Sequence, residues 1–432
     1  MAKNKLGIWM ATSLVIGNMV GAGIFLLPAA MAIFGGISLI GWVFSAAGAL
    51  LIASVFSRAS RLLPGLDGGP YIFTHKGFGD FAGFLMAWGY WISVWCANAA
   101  IVVSLISALS TFFPVLATNP LVAILTGLVA IWLLVWVNTL GIRASGEVQL
   151  VTTILKLIPL AAVALAGLFF VDWKNFVPFN RSGQTAIQAI GSSAALTLFA
   201  FLGMECATIP AEHIENPEKT VPRATMLGTW ITIVVYILGS MSVMGIIRAP
   251  ELQRSVTPFA DAAAAMWGDR AHYWMAAGVA MASFGALNGW LMVQGQIPYA
   301  VAKDRLFPEI FGRLNRKGVP AAGMIIGSVL VSVIMMMNFT KGLVEQFKFM
   351  ILLSTLTSLV PYLMVSAAYV VILMHKQGTT AGKWTNELIV ASLAFIFSLL
   401  AIIGAGEEIV FLGFVLMLAG IPLYVYIIWK RR

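Results

Sequence analysis

The sequence predicts an all-α integral membrane protein of about twelve transmembrane helices, and three observations predict it. Of 432 residues, 60% are hydrophobic and only 10% charged, and the mean hydropathy is +0.94, beyond what a soluble surface tolerates. Between Asp80 and Arg143 no Asp, Glu, Lys, Arg or His occurs; that stretch of about 62 residues is too long for one crossing of roughly 20. Basic residues gather in alternate loops, as they do when a chain weaves through a bilayer.

The first apolar run, about 8–33, contains "GNMVGAGIF" (Gly17–Phe25), with Gly17, Gly21 and Gly23 close together. Lys3 and Lys5 ahead of it and Ala30-Met31-Ala32 behind imitate a secretory signal and its cleavage site, but the run is long enough to read as a span. The second helix is expected near 37–57. The uncharged stretch then holds the third and fourth, about 80–110 and 121–139, with Phe112-Phe113-Pro114 and Asn119-Pro120 supplying the turn. The fifth, about 147–171, carries Lys156, and the sixth, about 187–211, carries Gly203, Glu205 and Pro210. "NPEKTVPRAT" (Asn216–Thr225), with two prolines, reads as a stiff loop before the seventh helix near 224–247. The remaining five fall near 270–300, 320–338, 345–374, 386–404 and 407–429, so almost nothing is left for a soluble domain.

With the N-terminus inside, eighteen Lys and Arg residues fall on the inner side and seven on the outer, with Lys156 within a helix. That asymmetry places both termini in the cytoplasm. The net charge of +9 then reflects this bias and attraction to anionic lipid, with no nucleic-acid partner required. Cys96 and Cys206 lie in predicted helices and read as packing residues. His75, His213, His272 and His375 sit at helix edges or in loops, which argues against a metal cluster.

Glycine costs a helix about 1 kcal/mol relative to Ala, and in hydrocarbon unwound backbone survives only against protein or a polar cavity. Gly17-x-x-x-Gly21 also fits close helix packing. What favours interruption is position: the breaks fall in helices 1 and 6, the first helices of two five-helix halves, as in transporters with inverted repeats and a midplane site. The second break carries Glu205, and an ionisable group within a span is a functional candidate. The expected organisation is a single domain over 1–432, with repeats of about 8–171 and 187–374 followed by two extra helices over about 386–429. Half-helices meeting at an unwound turn offer free N–H groups on one side and free C=O groups on the other, suited to an amino acid or amine.

"GNMVGAGIFLLPA", "DGGPYIFTHKGFG", "YWISVWCANAA", "FAFLGMECATIPAEHIENPEKTVPRAT", "GALNGWLMVQGQ" and "STLTSLVPYL", in that order along nearly the whole chain, resemble the amino acid/polyamine/organocation superfamily. Within it the pattern is most similar to the basic amino acid/polyamine antiporters, the arginine/agmatine exchangers above all. The resemblance implies a LeuT-like 5+5 inverted repeat with discontinuous helices 1 and 6, alternating access, and a central site. It implies substrate contacts at Asn18, Gly21, Ala22, Gly23 and Ile24 through the backbone, and at Ser93, Asn98, Phe199, Leu202, Trp290 and Ser354. Trp290 matches a tryptophan that stacks on the cationic head, a contact worth up to about 2 kcal/mol when desolvated. Asn98 and Ser354 match residues near the distal end of the substrate, although interhelical hydrogen bonding accounts for them as well. Tyr90 matches a gating aromatic and Glu205 a proton-responsive carboxylate.

Three positions depart from the arginine/agmatine pattern. Phe199 stands where those proteins carry Trp, Ala22 replaces a serine, and Lys156 replaces an apolar residue. A smaller ring leaves room for arginine, ornithine, lysine or a bulkier neutral amino acid. A lysine here resembles proton-coupled and sodium-independent transporters of the superfamily, in which the amine approaches the helix 1 turn. About ten residues into its helix, roughly 15 Å deep, it lies too far in for easy snorkelling.

The expected function is therefore a secondary exchanger of cationic amino acids or their amines (arginine, ornithine, lysine, agmatine or putrescine), in a bacterial inner membrane, with protons as a further partner and a homodimer left open. The alternative is a proton-coupled symporter of broader or neutral specificity. A channel lacks its carbonyl or carboxylate rings, an enzyme lacks a catalytic cluster at one depth, and no ATP-binding loop is present. No cofactor is expected.

Overall fold

In a computed structural model the chain is described over residues 6–140, 142–337, 342–375 and 381–431, and the side chains of Ala22, 142–151, His213 and 381–383 lie outside that description. Several residues of the basic asymmetry, Lys3, Lys5, Lys341, Lys376 and Arg432 among them, also fall outside it. Among the described residues ten helices are long and apolar enough to cross a membrane, and two shorter apolar ones, Ala186–Phe201 and Ala321–Met337, join them. In order the spans are span 1 (Ile8–Met19 and Ala22–Met31), span 2 (Ser38–Leu62), span 3 (Asp80–Ser110), span 4 (Pro120–Thr139) and span 5 (Ile142–Ala166). There follow span 6 (Ala186–Leu198, then irregular), span 7 (Pro217–Ile246), span 8 (Asp269–Lys303), span 9 (Ala321–Met337), span 10 (Leu343–His375), span 11 (Ala381–Gly404) and span 12 (Glu407–Leu418 and Ile421–Arg431).

The packing obeys a rule of five. Span 1 lies against span 7 and span 6 against span 2; span 5 packs on spans 8, 7 and 1, and span 10 on spans 3, 2 and 6. Exchanging each of spans 1 to 5 with the span five places later turns one set into the other, the pattern expected of two halves folded alike. Spans 3, 4, 8 and 9 form a second group, and spans 3 and 8 pack together. Buried polar pairs tie the layers: Ser45 with Thr197 at 2.8 Å, Asn138 with Asn288 at 2.7 Å, and Ser354 Oγ donating to Ser93 O at 2.8 Å. Between apolar helices such bonds and small residues set the contacts, since there is no water to expel.

Four features differ from the sequence-based expectation. Beyond Leu198 the second part of span 6 is no α-helix; it is a series of 3₁₀ turns at Phe199–Phe201, Cys206–Thr208 and Ala211–His213. Gly203, with φ +107°, and Pro210 prevent a continuous ladder. Second, Asn216–Thr225 is no loop, for span 7 begins at Pro217. Pro217 is the first helical residue, where no N–H is needed, and Pro222 deprives only the exposed Glu218 of a partner.

Third, two short helices escaped notice: Pro70–Phe78 before span 3 and Pro258–Trp267 before span 8. Each starts at a proline and ends at a glycine of positive φ, Gly79 or Gly268, followed at once by the Asp that opens the next span. They occupy equivalent places in the two halves. On the N-terminal side Tyr71 donates to Asp304 Oδ2 at 2.6 Å; burial, aided by that carboxylate, holds its phenol well above the ordinary range, so it remains a donor. Fourth, span 12 is interrupted at Ala419-Gly420.

Candidate functional site

The interruption of span 1 is two residues long. Val20 (φ −74°, ψ 75°) and Gly21 (φ −118°, ψ −144°) leave the helix, and Gly21 N–H turns back onto Met19 O at 2.7 Å. Opposite it, Leu202 is extended and Gly203 is left-handed. A β-carbon at Gly203 would stand 3.1 Å from Asn18 C and Met19 N, so the two breaks touch main chain to main chain. Gly21 and Gly23 serve close approach as well: a β-carbon on them would meet Ala286 of span 8 at 3.0 Å and Phe199 of span 6 at 3.1 Å. Interruption and small-residue packing, which the sequence offered as alternatives, are both realised in one turn.

The carbonyl end of the first half of span 1 is not bare, contrary to expectation. Ile16 O accepts from Val20 N–H at 2.7 Å, Gly17 O from Lys156 Nζ at 2.5 Å, Asn18 O from Trp290 Nε1 at 2.9 Å, and Met19 O from the Tyr236 hydroxyl at 2.5 Å. Donors from spans 5, 8 and 7 thus satisfy the groups that a helix end leaves open. The second half, from Ala22, has no side-chain cap. Its first-turn N–H groups and the positive end of its dipole are suited to a carboxylate.

Beside this turn lies a narrow cavity lined by Asn18, Met19, Gly21, Gly23, Ala97, Ile101, Phe199, Ala200, Leu202 and Trp290. Six sequence candidates meet there: Asn18, Gly21, Gly23, Phe199, Leu202 and Trp290. Asn18 is 5% exposed and its Oδ1 has no partner, an acceptor left for a ligand or water. Ile24 is buried in the apolar core, and the side chain of Ala22 lies outside the described residues. Ser93, Asn98 and Ser354 do not line the cavity. Ser93 donates to Tyr90 O at 2.7 Å, Ser354 to Ser93 O, and Asn98 to Gln294 Oε1 at 2.8 Å.

Glu205 is fully buried just behind the cavity wall. Tyr90 donates to its Oε1, Gly203 N–H to its Oε2 at 3.2 Å, and Tyr362 borders it. Tyr90 of span 3 and the broken span 6 therefore share one carboxylate. Lys156, also fully buried, reaches the opposite side of the span 1 break.

Three residues of this region escaped the sequence reading. Tyr236, stacked edge-on with Trp42 and tilted against Phe201, holds the span 1 turn through Met19. Gln294 and Tyr362 stand beside Asn98 and Glu205. A polar side chain in mid-span was the available signal for Gln294, whereas Ala97, Ile101 and Ala200 carry none.

A profile of the family described as amino acid permease matches residues 6–426. The chain belongs to the amino acid permease family. Among the relatives of this permease are a putrescine transporter of Haemophilus influenzae, 30% identical over 428 residues (99% of this chain, 98% of that one), and a cadaverine/lysine antiporter of Escherichia coli, 32% identical over 412 residues (93% and 90%). An arginine/ornithine antiporter of Pseudomonas aeruginosa is 31% identical over 442 residues (98% and 91%). With its apolar spans, this permease is an integral, multi-pass membrane protein. The broken first span, the turns of the sixth and the five-offset packing fit the LeuT-like fold inferred from its sequence.

Proposed function

We propose that this permease exchanges cationic amino acids or their amines across a bacterial inner membrane by alternating access, both termini being cytoplasmic. One observation carries the reading: Gly21 and Gly23 at an uncapped helix start, Asn18 with its unpartnered oxygen, and Trp290 line the same cavity. The helix start takes a carboxylate, the oxygen an ammonium, and the indole face a cationic head. The names of full-length relatives, which include putrescine, cadaverine/lysine and arginine/ornithine carriers, support the same chemistry. The experiment is counterflow in liposomes. Labelled L-arginine, L-ornithine or putrescine should enter vesicles preloaded with one of them and not empty vesicles; equal uptake into both removes the exchange reading.

Glu205 joins Tyr90 to the span 6 break through charge-assisted bonds. We assign it the proton-responsive role, because protonation replaces an acceptor with a donor between two elements that must separate as the site opens. Glu205→Gln should flatten the pH dependence of exchange, measured in liposomes over pH 5 to 8, while the protein remains monodisperse. A wild-type profile would remove the role.

The position of Lys156 on Gly17 O favours a second reading, proton-coupled symport. Its amine occupies the carbonyl end of the break, so exchanging a proton there alters the hold of span 5 on span 1. If so, an inward proton gradient should concentrate substrate in vesicles that start empty, and Lys156→Ala should abolish that accumulation. Failure to accumulate in the unmodified protein leaves exchange alone.

A further inference from the structure

Span 4 ends at Thr139 and span 9 begins at Ala321, and one side chain beside them ties the connecting segment to span 4. Asn315 Nδ2 donates to Thr139 O at 2.9 Å, while Asn315 Oδ1 accepts from Lys317 N–H at 2.9 Å and Val319 N–H at 3.0 Å. Gly318 N–H closes the turn on Asn315 O at 3.0 Å, which leaves Arg316 and Lys317 at its two corners, both exposed. Upstream, Phe311 is buried edge-on against Trp91 of span 3, ring centroids 5.5 Å apart, so the segment that carries the exposed Arg313 is held to the bundle as well. Over 303–317 five Lys or Arg residues face two carboxylates, Asp304 and Glu309, and Asp304 already accepts from Tyr71. Among the described residues Arg313, Arg316 and Lys317 are in no ion pair. The turn stands where two apolar stripes end. Trp132, Trp136 and Leu140 recur every fourth residue along span 4 and its C-cap, and Ile325, Val329 and Val333 along span 9, all of them exposed. Residues four apart share a helix face, and spans 4 and 9 pack on each other.

We propose that this turn, with the adjoining ends of spans 4 and 9, is a docking surface for an anionic phospholipid. The head-group phosphate sits against Arg313, Arg316 and Lys317, and the acyl chains lie along the two stripes. Arginine suits the phosphate, because its guanidinium offers parallel N–H donors to the oxyanion, and basic residues where span ends meet are a recurring way of holding anionic head groups. A topological excess of basic charge needs no fixed geometry; here the charges ride on a turn hydrogen-bonded to a span end. A free phosphate would satisfy the charges and leave the stripes unused, and a zwitterionic lipid would cover the stripes and leave the net charge unmatched. On the reading above this end of the bundle is cytoplasmic, where the leaflet is rich in anionic lipid. The lipid site does not depend on which substrate is carried.

The test is native mass spectrometry of the purified protein after equilibration in detergent with equal amounts of phosphatidylglycerol and phosphatidylcholine of the same acyl chains. The unmodified protein should retain phosphatidylglycerol over phosphatidylcholine at least about tenfold, each basic residue beside an anionic head group adding roughly fivefold. Retention of the two in equal amounts overturns the proposal. Arg313→Gln, Arg316→Gln and Lys317→Gln combined should bring the ratio to within about twofold of unity. Arg248→Gln, Arg254→Gln and Arg270→Gln combined remove the same formal charge from exposed positions elsewhere and should leave the ratio unchanged. An equal fall in both triple variants would mean attraction to net charge alone, and would overturn the proposal. Inorganic phosphate should displace no more lipid than chloride of equal ionic strength; greater displacement would mark a site for soluble anions and overturn it as well. Arg316→Gln with Lys317→Gln, which changes only the exposed corners of the turn, should lower the ratio at least about fivefold and decides the matter if the first triple variant does not fold; an unchanged ratio there overturns the proposal. Because the readout is lipid retention, a failure of exchange in liposomes removes the proposed function and leaves this inference standing, and the loss of lipid preference with exchange intact removes this inference alone.

Discussion

Trp290→Ala is expected to abolish exchange of a cationic substrate, or to raise its half-saturating concentration at least about 30-fold, the equivalent of about 2 kcal/mol. Two losses combine. Trp290 leaves the cavity lining, and with it the ring quadrupole that attracts an ammonium or guanidinium. The indole N–H also leaves Asn18 O, so one carbonyl at the end of the first half of span 1 loses its donor. Trp290→Phe separates the two effects, because it keeps a ring and removes the N–H. Its half-saturating concentration should lie between those of wild type and Trp290→Ala, with arginine hurt less than by the alanine. Counterflow in liposomes at several external concentrations measures both. Unchanged transport by Trp290→Ala would remove the tryptophan from the site.

Gly203→Ala is the second large effect. At φ +107° any side chain is strained, and here the β-carbon also meets Asn18 C and Met19 N at 3.1 Å and Asn18 Cβ at 3.2 Å. Those neighbours belong to the span 1 break and cannot rotate aside as a side-chain tip would. Backbone strain of this kind costs about 1–3 kcal/mol, and the added contact forces the two broken spans apart. The variant should lose most of its exchange activity and unfold several degrees earlier in detergent. Gly191→Ala is the matched control on the helical part of span 6: its φ is ordinary and a β-carbon there meets nothing within 4 Å, so activity and thermal stability should stay near wild type. Equal behaviour of the two variants would mean that contact between the breaks is unimportant.

Both experiments probe one arrangement, in which irregular backbone in spans 1 and 6 is held in register by side chains from elsewhere. Lys156, Trp290 and Tyr236 arrive from three different spans to satisfy consecutive carbonyls from Gly17 to Met19. The turn therefore keeps its shape without a ligand, leaving the uncapped helix start and Asn18 Oδ1 for one. On the other side of the wall Glu205 links Tyr90 to Gly203. A change of its protonation acts on the same break from behind.

Much of this was present in the sequence because a bilayer imposes simple rules. Apolar length gave the spans, and the glycines of helix 1 with Gly203 and Glu205 marked the breaks, since hydrocarbon tolerates neither unwound backbone nor charge without a reason. Trp290, Phe199 and Lys156 stood out because they are large or charged at mid-depth. What pattern could not supply was the pairing of donors with acceptors across spans. Whether Asn98 turned to the cavity or to Gln294, and whether the carbonyls of span 1 were free or taken, depended on residues some 139 to 272 positions apart in the chain. Nor could pattern reveal that Ala97, Ile101 and Ala200 line the site, because an alanine facing a ligand and one facing another helix read alike. The short helices at Pro70 and Pro258 were missed because, at 9 and 10 residues, they need no apolar run of spanning length. Sequence alone thus determined the membrane crossings and the places where backbone had to open, through the cost of burying polar groups in hydrocarbon. Only the tertiary structure decided which hydrogen bonds closed those openings again, because a bond between spans depends on distances that no local pattern encodes.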